Sequence, residues 1–388
     1  MATHPNLRFP SQDDHPPMPL DSIRIKWGYA AERVPNLPQT WAEARDRARL
    51  DDAPPRRNDV IIAEIGGIGR HTRIDLAKGA RSAFFEGDLV GCVFSPRYAT
   101  RQFEAIVPQD LEVLHFLCAG GICGRVVGLP DHMKQPTLLK PVGYLLDDRG
   151  ERVNIRDHAL RPIDVNGQRP LTIVVVGAAM DSGKTTAAFS LVNGLTRAGI
   201  RTAATKITGT GSARDIRALC DAGAVEILDF TSAGFGSTCG LARRDMFDVT
   251  ETLLSNLTTT NPEVIVVEIA DGITQRETAM LLERFAAAGD ADGFIYTCND
   301  ALGVKSGIDI LNAHGLPVLA VSGAITASPL GVREVQQETE LPVITRRGLM
   351  SPETAQQLVT RCRAHRNASG IVVKPSLAVA AADEKQSA

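Results

Sequence analysis

The sequence predicts an α/β protein: a doubly wound, mostly parallel sheet preceded by a smaller β-rich unit, a barrel or a sandwich. Three observations carry this. From Leu171 onward, apolar strand-like runs alternate with helical patterns. Between Asp59 and about Asn166, short β-like runs are separated by Gly-rich turns, with no helical stretch between them. At the junction, residues 171–186 read LTIVVVGAAMDSGKTT, an apolar run that ends in small residues and meets a helical pattern.

In chain order, residues 1–20 hold five prolines and little apolar material, the composition of a disordered arm. Residues 21–58 form a lead-in. Ser22 to Tyr29 fits a short strand, and Thr40-Trp41-Ala42-Glu43 is a capping box that opens a helix to about Leu50. Pro54-Pro55-Arg56-Arg57-Asn58 marks a boundary. The β-rich unit spans 59–168, with strand candidates at 60–65, 73–77, 88–94, 104–108, 122–128 and 139–146. Residues 169–368 form the alternating domain. Its strands are expected at 171–177, 201–206, 225–230, 263–269, 293–297, 317–322 and 342–345. A last helix starts with Ser351 as N-cap and Pro352 at its first position. Residues 369–388 read as a poorly ordered tail.

Bulk properties narrow the function classes. The 388 residues are 44% hydrophobic and 22% charged, as in an ordinary soluble protein. A net charge of −3 and 5% aromatic residues leave no basic footprint or stacking platform for nucleic acid. No apolar run is long enough to cross a bilayer, so no membrane partner is expected. Seven cysteines and an N-terminus without a secretory pattern fit reduced thiols in the cytoplasm.

The junction motif fixes a ligand class. Gly177-Ala178-Ala179-Met180-Asp181-Ser182-Gly183-Lys184-Thr185-Thr186 places a small-residue loop between a strand and a helix, the order of a phosphate-binding loop. Its backbone N–H groups and the helix dipole suit phosphate oxygens. Lys184 would reach the β- and γ-phosphates, and the Thr185 hydroxyl would hold Mg²⁺. The usual first glycine would stand at Ala178; here Gly177 is one residue early. Ala188, Leu191, Val192 and Leu195 follow at helical spacing, and Gly199 stands where the helix would end.

The P-loop domain resembles dethiobiotin synthetase and its relatives, the amide-forming cobyrinate synthases and the molybdopterin-guanine dinucleotide adaptors, over roughly 171–325. Five stretches carry the likeness: the longer loop spacing from Gly177 to Thr185; Lys206-Ile207-Thr208-Gly209-Thr210-Gly211 after the second strand; Ser212 to Leu219 with Asp215; Glu268-Ile269-Ala270-Asp271-Gly272; and Gly303-Val304-Lys305-Ser306-Gly307, similar to the family's Val-Lys-x-Gly turn. The resemblance implies that Thr185, Asp215 and Glu268 share Mg²⁺, and that Lys206 joins Lys184 across the phosphates of ATP. It implies substrate contacts from Thr208, Thr210, Gly211 and Lys305. The chain departs from the family in having Ala178-Ala179 where a Thr-Asp pair stands, in the Glu268–Gly272 turn, and in its preceding β-rich unit. Those departures leave the substrate open.

Each site residue also has a structural reading. Asp215 fits a helix cap behind Ser212. Glu268 ends an apolar strand, where a carboxylate is costly to bury unless paired or metal-bound. Asp271 is a second carboxylate at that edge or a turn residue. Asp181 is a base or orienting group, or it points outward. The segment 231–238, with Ser232 and Ser237, suits an anionic substrate or is a flexible loop. Asn299, after strand 293–297, would read a purine, with Asp300 beside it. His115, Cys118 and Cys123 lie close in sequence but fit buried thiols better than a metal site. Arg70, His71, Arg73, Arg97, Tyr98 and Arg101 form a basic cluster that either meets an acidic substrate or is solvated.

Together these readings predict a cytoplasmic, Mg²⁺-ATP-dependent enzyme. It would pass the γ-phosphate to a small carboxylate, carbamate or hydroxyl substrate, in ligase-type formation of an amide, urea or ring. Lys184, Lys206 and Asp181 would be catalytic. The alternatives are a simple small-molecule kinase and a nucleotide-switched adaptor serving a partner enzyme. The β-rich unit would supply substrate contacts or a homodimer surface.

Overall fold

The computed structural model describes residues 20–165 and 167–368. The expected tail and, save for Leu20, the expected arm lie outside these residues. The chain is a mixed α/β structure built on one large β-sheet and one parallel sheet.

The parallel sheet has six strands in the order Ile227–Asp229, Thr202–Lys206, Val264–Glu268, Leu171–Gly177, Gly293–Thr297, Val318–Ser322. All neighbours run parallel. The central strand Leu171–Gly177 is buried along its whole length, as a strand covered on both faces must be. Alternation sorts its side chains. Val174 and Val176 pack with Leu253, Leu281, Phe285 and Leu311 from helices on one face. Ile173 and Val175 pack with Leu191, Leu195, Leu358 and Val359 on the other. A seventh strand at 342–345 does not form. Only an isolated parallel bridge, Val321 to Val343, reaches that segment. Pro342, which has no N–H to donate, stands at its start.

In the β-rich half, hydrogen-bonded pairings run round a closed circuit of five strands: Leu89–Phe94, Val60–Gly67, Thr137–Leu145, Leu114–Cys118, Ile122–Gly128, and back to Leu89–Phe94. The strand Leu114–Cys118, without which the circuit stays open, has no counterpart among the sequence-based candidates. The run 73–77 contributes only Arg73–Asp75, which pairs with Arg81–Ala83 outside the circuit. Thr40 caps its helix by accepting from Glu43 N, as the box predicts. The α-helix stops at Ala44 and gives way to one 3₁₀ turn, Arg45–Arg47, short of Leu50.

The β-rich half leans on the carboxyl edge of the parallel sheet. Arg57 Nη2 donates to Ser237 O at 2.6 Å and Cys239 O at 2.7 Å. Gly236 N donates to Asn58 Oδ1, the Cys118 thiol to Gly211 O, and the Tyr29 hydroxyl to Asp229 Oδ2. Backbone meets backbone at Gly120: a Cβ there would lie 2.1 Å from Gly211 O, so only glycine fits.

Candidate nucleotide site

Parallel α/β sheets bind ligands at the carboxyl ends of their strands. Here that edge carries Gly177, Lys206, Asp229, Glu268 and Thr297. The loop 178–183 leaves the central strand, and the helix Lys184–Arg197 begins directly after it. Gly183 has φ +96°, which disfavours any side chain, and a Cβ would also press on Ala324 N at 3.0 Å. Ser182 Oγ and Thr297 Oγ1 share a hydrogen bond of 2.8 Å, and Ala324 N donates to Ser182 O. The loop is therefore braced from behind by the next two strand ends. Ala188, Leu191, Val192 and Leu195 are fully buried under the helix, and Gly199 follows its end with φ +76°.

Lys184 curls back over the loop and donates to Ala179 O at 2.7 Å. Burial lowers its pKa, while the nearby carboxylates Glu268 and Asp271 oppose that shift. Its ammonium therefore sits where a polyphosphate would restore its lost solvation.

The carboxylate cluster is the chemical centre of the edge. Glu268 is 1% exposed. Its Oε1 accepts from the Thr185 hydroxyl at 2.6 Å, and Lys206 Nζ lies 3.3 Å away. Its Oε2 is buried with no hydrogen-bond partner. Lys206 also meets Asp215 Oδ2 at 2.5 Å. Burial works against the Lys206 charge, but Glu268 and then Asp215 outweigh it, and its pKa is raised. Of the three expected metal ligands, Thr185 and Glu268 are in direct contact, whereas Asp215 reaches Glu268 only through Lys206, which pairs with both. Asp215 is no cap partner either, because Ser212 makes no side-chain cap and its hydroxyl faces Asp75 Oδ2 at 3.5 Å. Among the described residues, no group of three or more His, Cys, Asp or Glu side chains comes together as a metal centre. A hydroxyl beside a buried carboxylate with one bare oxygen does fit Mg²⁺, a hard cation that keeps most of its own water.

The remaining expected contacts divide in two. Thr210, Ser237 and Thr238 line a small cavity of about 20 Å³ with Tyr98, Asp271 and Gln275. Burial raises the Asp271 pKa, against the pull of Lys184 and Lys206. Thr208 is buried and donates to Ala270 O. Gly211 and Ser232 are held in backbone hydrogen bonds to Gly236 and Asp229. The segment 231–238 is largely buried rather than a loose loop. Lys305 and Asn299 are exposed. The expected turn Gly303–Gly307 is instead helical, inside Leu302–Ala313. Its two glycines accommodate Tyr296: the ring fills the space of a Gly307 side chain, and the hydroxyl donates to Gly303 O at 2.9 Å. Asp300 accepts from Gly303 N at 2.8 Å, a helix-capping role.

Asp181 points outward, 61% exposed, and pairs with Arg101 at 3.3 Å. The expected basic cluster is partly buried rather than solvated. Arg97 is buried and donates to Leu117 O, and His71 packs between Phe103 and Phe116 with its pKa lowered to about 3 by burial. His115 Nδ1 accepts from Val126 N, which removes it from any pairing with Cys118 and Cys123. Two features escaped the sequence reading. Gly272 crosses over the loop so closely that a Cβ would meet Ala178 O at 2.4 Å, and Tyr29 reaches Asp229 from the far end of the chain. The small residues of Ala270-Asp271-Gly272 were the only local signal for the first; nothing local marks the second.

No protein-family model matches the chain, and no curated protein matches it. Among solved structures, the signal recognition particle 54 kDa protein from Aeropyrum pernix K1, in complex with GDP, aligns with a TM-score of 0.34 and 18% identity. The alignment covers 53% of this chain and about half, 52%, of that one. The signal recognition particle receptor FtsY from Elizabethkingia anophelis aligns with a TM-score of 0.34 and 15% identity, over 55% of this chain and 75% of that one. Among the described residues, no helix is long and apolar enough to cross a membrane.

Proposed function

We propose that this protein binds a Mg²⁺-complexed nucleoside triphosphate in the loop 177–185 and transfers its γ-phosphoryl group. The observation that carries this is the Glu268 carboxylate. It is buried at the head of a phosphate-binding loop, with one oxygen on the Thr185 hydroxyl and the other bare. Lys206 offsets its charge from 3.3 Å on the Oε1 side, and the bare Oε2 is the ligand oxygen a cation would take. Thr185 and Glu268 would hold the cation, which supplies charge neutralisation to the phosphates. Lys184 and Lys206 would hold the phosphoryl oxygens, and the N–H groups of 178–183 would orient the chain of phosphates.

The finer reading is ATP as the nucleotide and ligase-type transfer to a small carboxylate or carbamate, and it rests on the resemblance to dethiobiotin synthetase. The test is calorimetric titration of ATP and GTP with Mg²⁺, followed by phosphate release with and without candidate acids, alcohols and amines. Lys184→Ala should lower turnover by about 10²-fold or more while the melting temperature holds. Full activity in that variant would overturn the assignment of this loop.

A further inference from the structure

We infer that Arg101, supplied by the β-rich half, is an arginine finger acting within the chain on the phosphoryl group held by the loop 177–185. The inference rests on the nucleotide reading above and assigns a residue to it.

The base of the Arg101 turn is held by burial and hydrogen bonds. Arg97 is buried, donates to Leu117 O and reaches Gln102 Oε1 at 2.7 Å. Ala99 N donates to Phe103 O, Gln102 N donates to Ala99 O, and Phe103 is fully buried. The tip of the turn projects across to the loop. Thr100 Oγ1 lies 3.9 Å from Met180 Sδ, and Arg101 Nη1 lies 3.3 Å from Asp181 Oδ2. A guanidinium from one half of the molecule is thus parked on the phosphate-binding loop of the other.

Its present partner is a weak one. Both side chains are more than half exposed, at 64% and 61%, and such a pair is readily exchanged. A triphosphate carries more charge than one carboxylate and presents oxygens in the geometry a guanidinium fork binds. In the transfer, an acceptor oxygen, water in the simplest case, bonds to the γ-phosphorus. The bond from that phosphorus to the β,γ-bridging oxygen breaks, its electron pair stays on the departing diphosphate, and the acceptor's proton passes to solvent. Arg101 gives up no proton; it compensates the charge that builds on the bridging and γ-oxygens.

The test uses the full chain with Arg101→Ala and Arg101→Lys, both at an exposed side chain. Arg101→Ala should lower kcat by about 10³-fold, with the nucleotide Kd changed less than about threefold. It should also lose binding of the diphosphate with aluminium fluoride, a mimic of the transferring group. Arg101→Lys should recover less than about tenfold, because an ammonium lacks the fork. Wild-type kcat in Arg101→Ala, or a loss confined to Kd, would overturn the inference and leave Arg101 as a mere counter-charge to Asp181. Wild-type protein that binds nucleotide without turning it over would overturn the finger alone. Absence of nucleotide binding would overturn the finger and the underlying reading together.

Discussion

Replacing Lys206 by Met tests the electrostatics of the site without any ligand. Met keeps much of the stem volume and removes the ammonium. Glu268, 1% exposed, then loses the cation 3.3 Å away and keeps only the Thr185 hydroxyl. Removing one partner of a buried ion pair costs about 3–5 kcal/mol. Asp215, whose side chain is 24% exposed, takes up water instead and adds little to that figure. For a domain of this size the loss corresponds to a fall in Tm on the order of 10 °C. The pH dependence carries the sharper information. In the native protein the Lys206 pKa is raised, so its contribution is complete below the unfolded lysine value of about 10.4 and is lost only as pH rises through the higher folded value. It is therefore constant across neutral pH. The Tm deficit of the variant, followed by circular dichroism, should therefore persist throughout neutral pH. A deficit within experimental error of zero there would refute the argument that Lys206 offsets a buried charge.

Two further predictions concern the scaffold. Asp292 is buried and accepts from Arg169, Arg366 and Thr172 N. Burial alone would raise its pKa, but the two guanidinium groups outweigh that and lower it. Its stabilising contribution is thus present above the unfolded value of about 3.9 and disappears as pH falls through the lower folded value. Asp292→Asn should cost about 3 kcal/mol in urea unfolding at neutral pH and flatten the acid limb of the stability profile. Gly307→Ala places a methyl 2.0 Å from Tyr296 Cζ and should cost about 1–3 kcal/mol by overpacking, read as a lower Tm.

Much of the parallel sheet was legible in the sequence because its signals are local. Six of seven expected strands form, and the loop announces itself through Gly183, Lys184 and Thr185 beside an apolar run. Elements whose partners are remote were harder to read. Leu114–Cys118 is a strand only because two others flank it, and its His115 dilutes the apolar pattern. Gly303–Gly307 looks like a turn in sequence, yet it is helical, and its glycines leave room for the Tyr296 side chain. At the site, carboxylate identity was readable and pairing was not. Whether Asp215 faces a cation, a cap or Lys206 depends on a separation of nine residues across two elements.

The contact between Tyr29 and Asp229 spans 200 positions. During synthesis at about 5–20 residues per second, the early segment would wait roughly 10–40 s for its partner to emerge from the ribosome. Arg57 waits comparably long for the carbonyls of Ser237 and Cys239. Until the second half arrives, the face of the first half that docks against it has no cover.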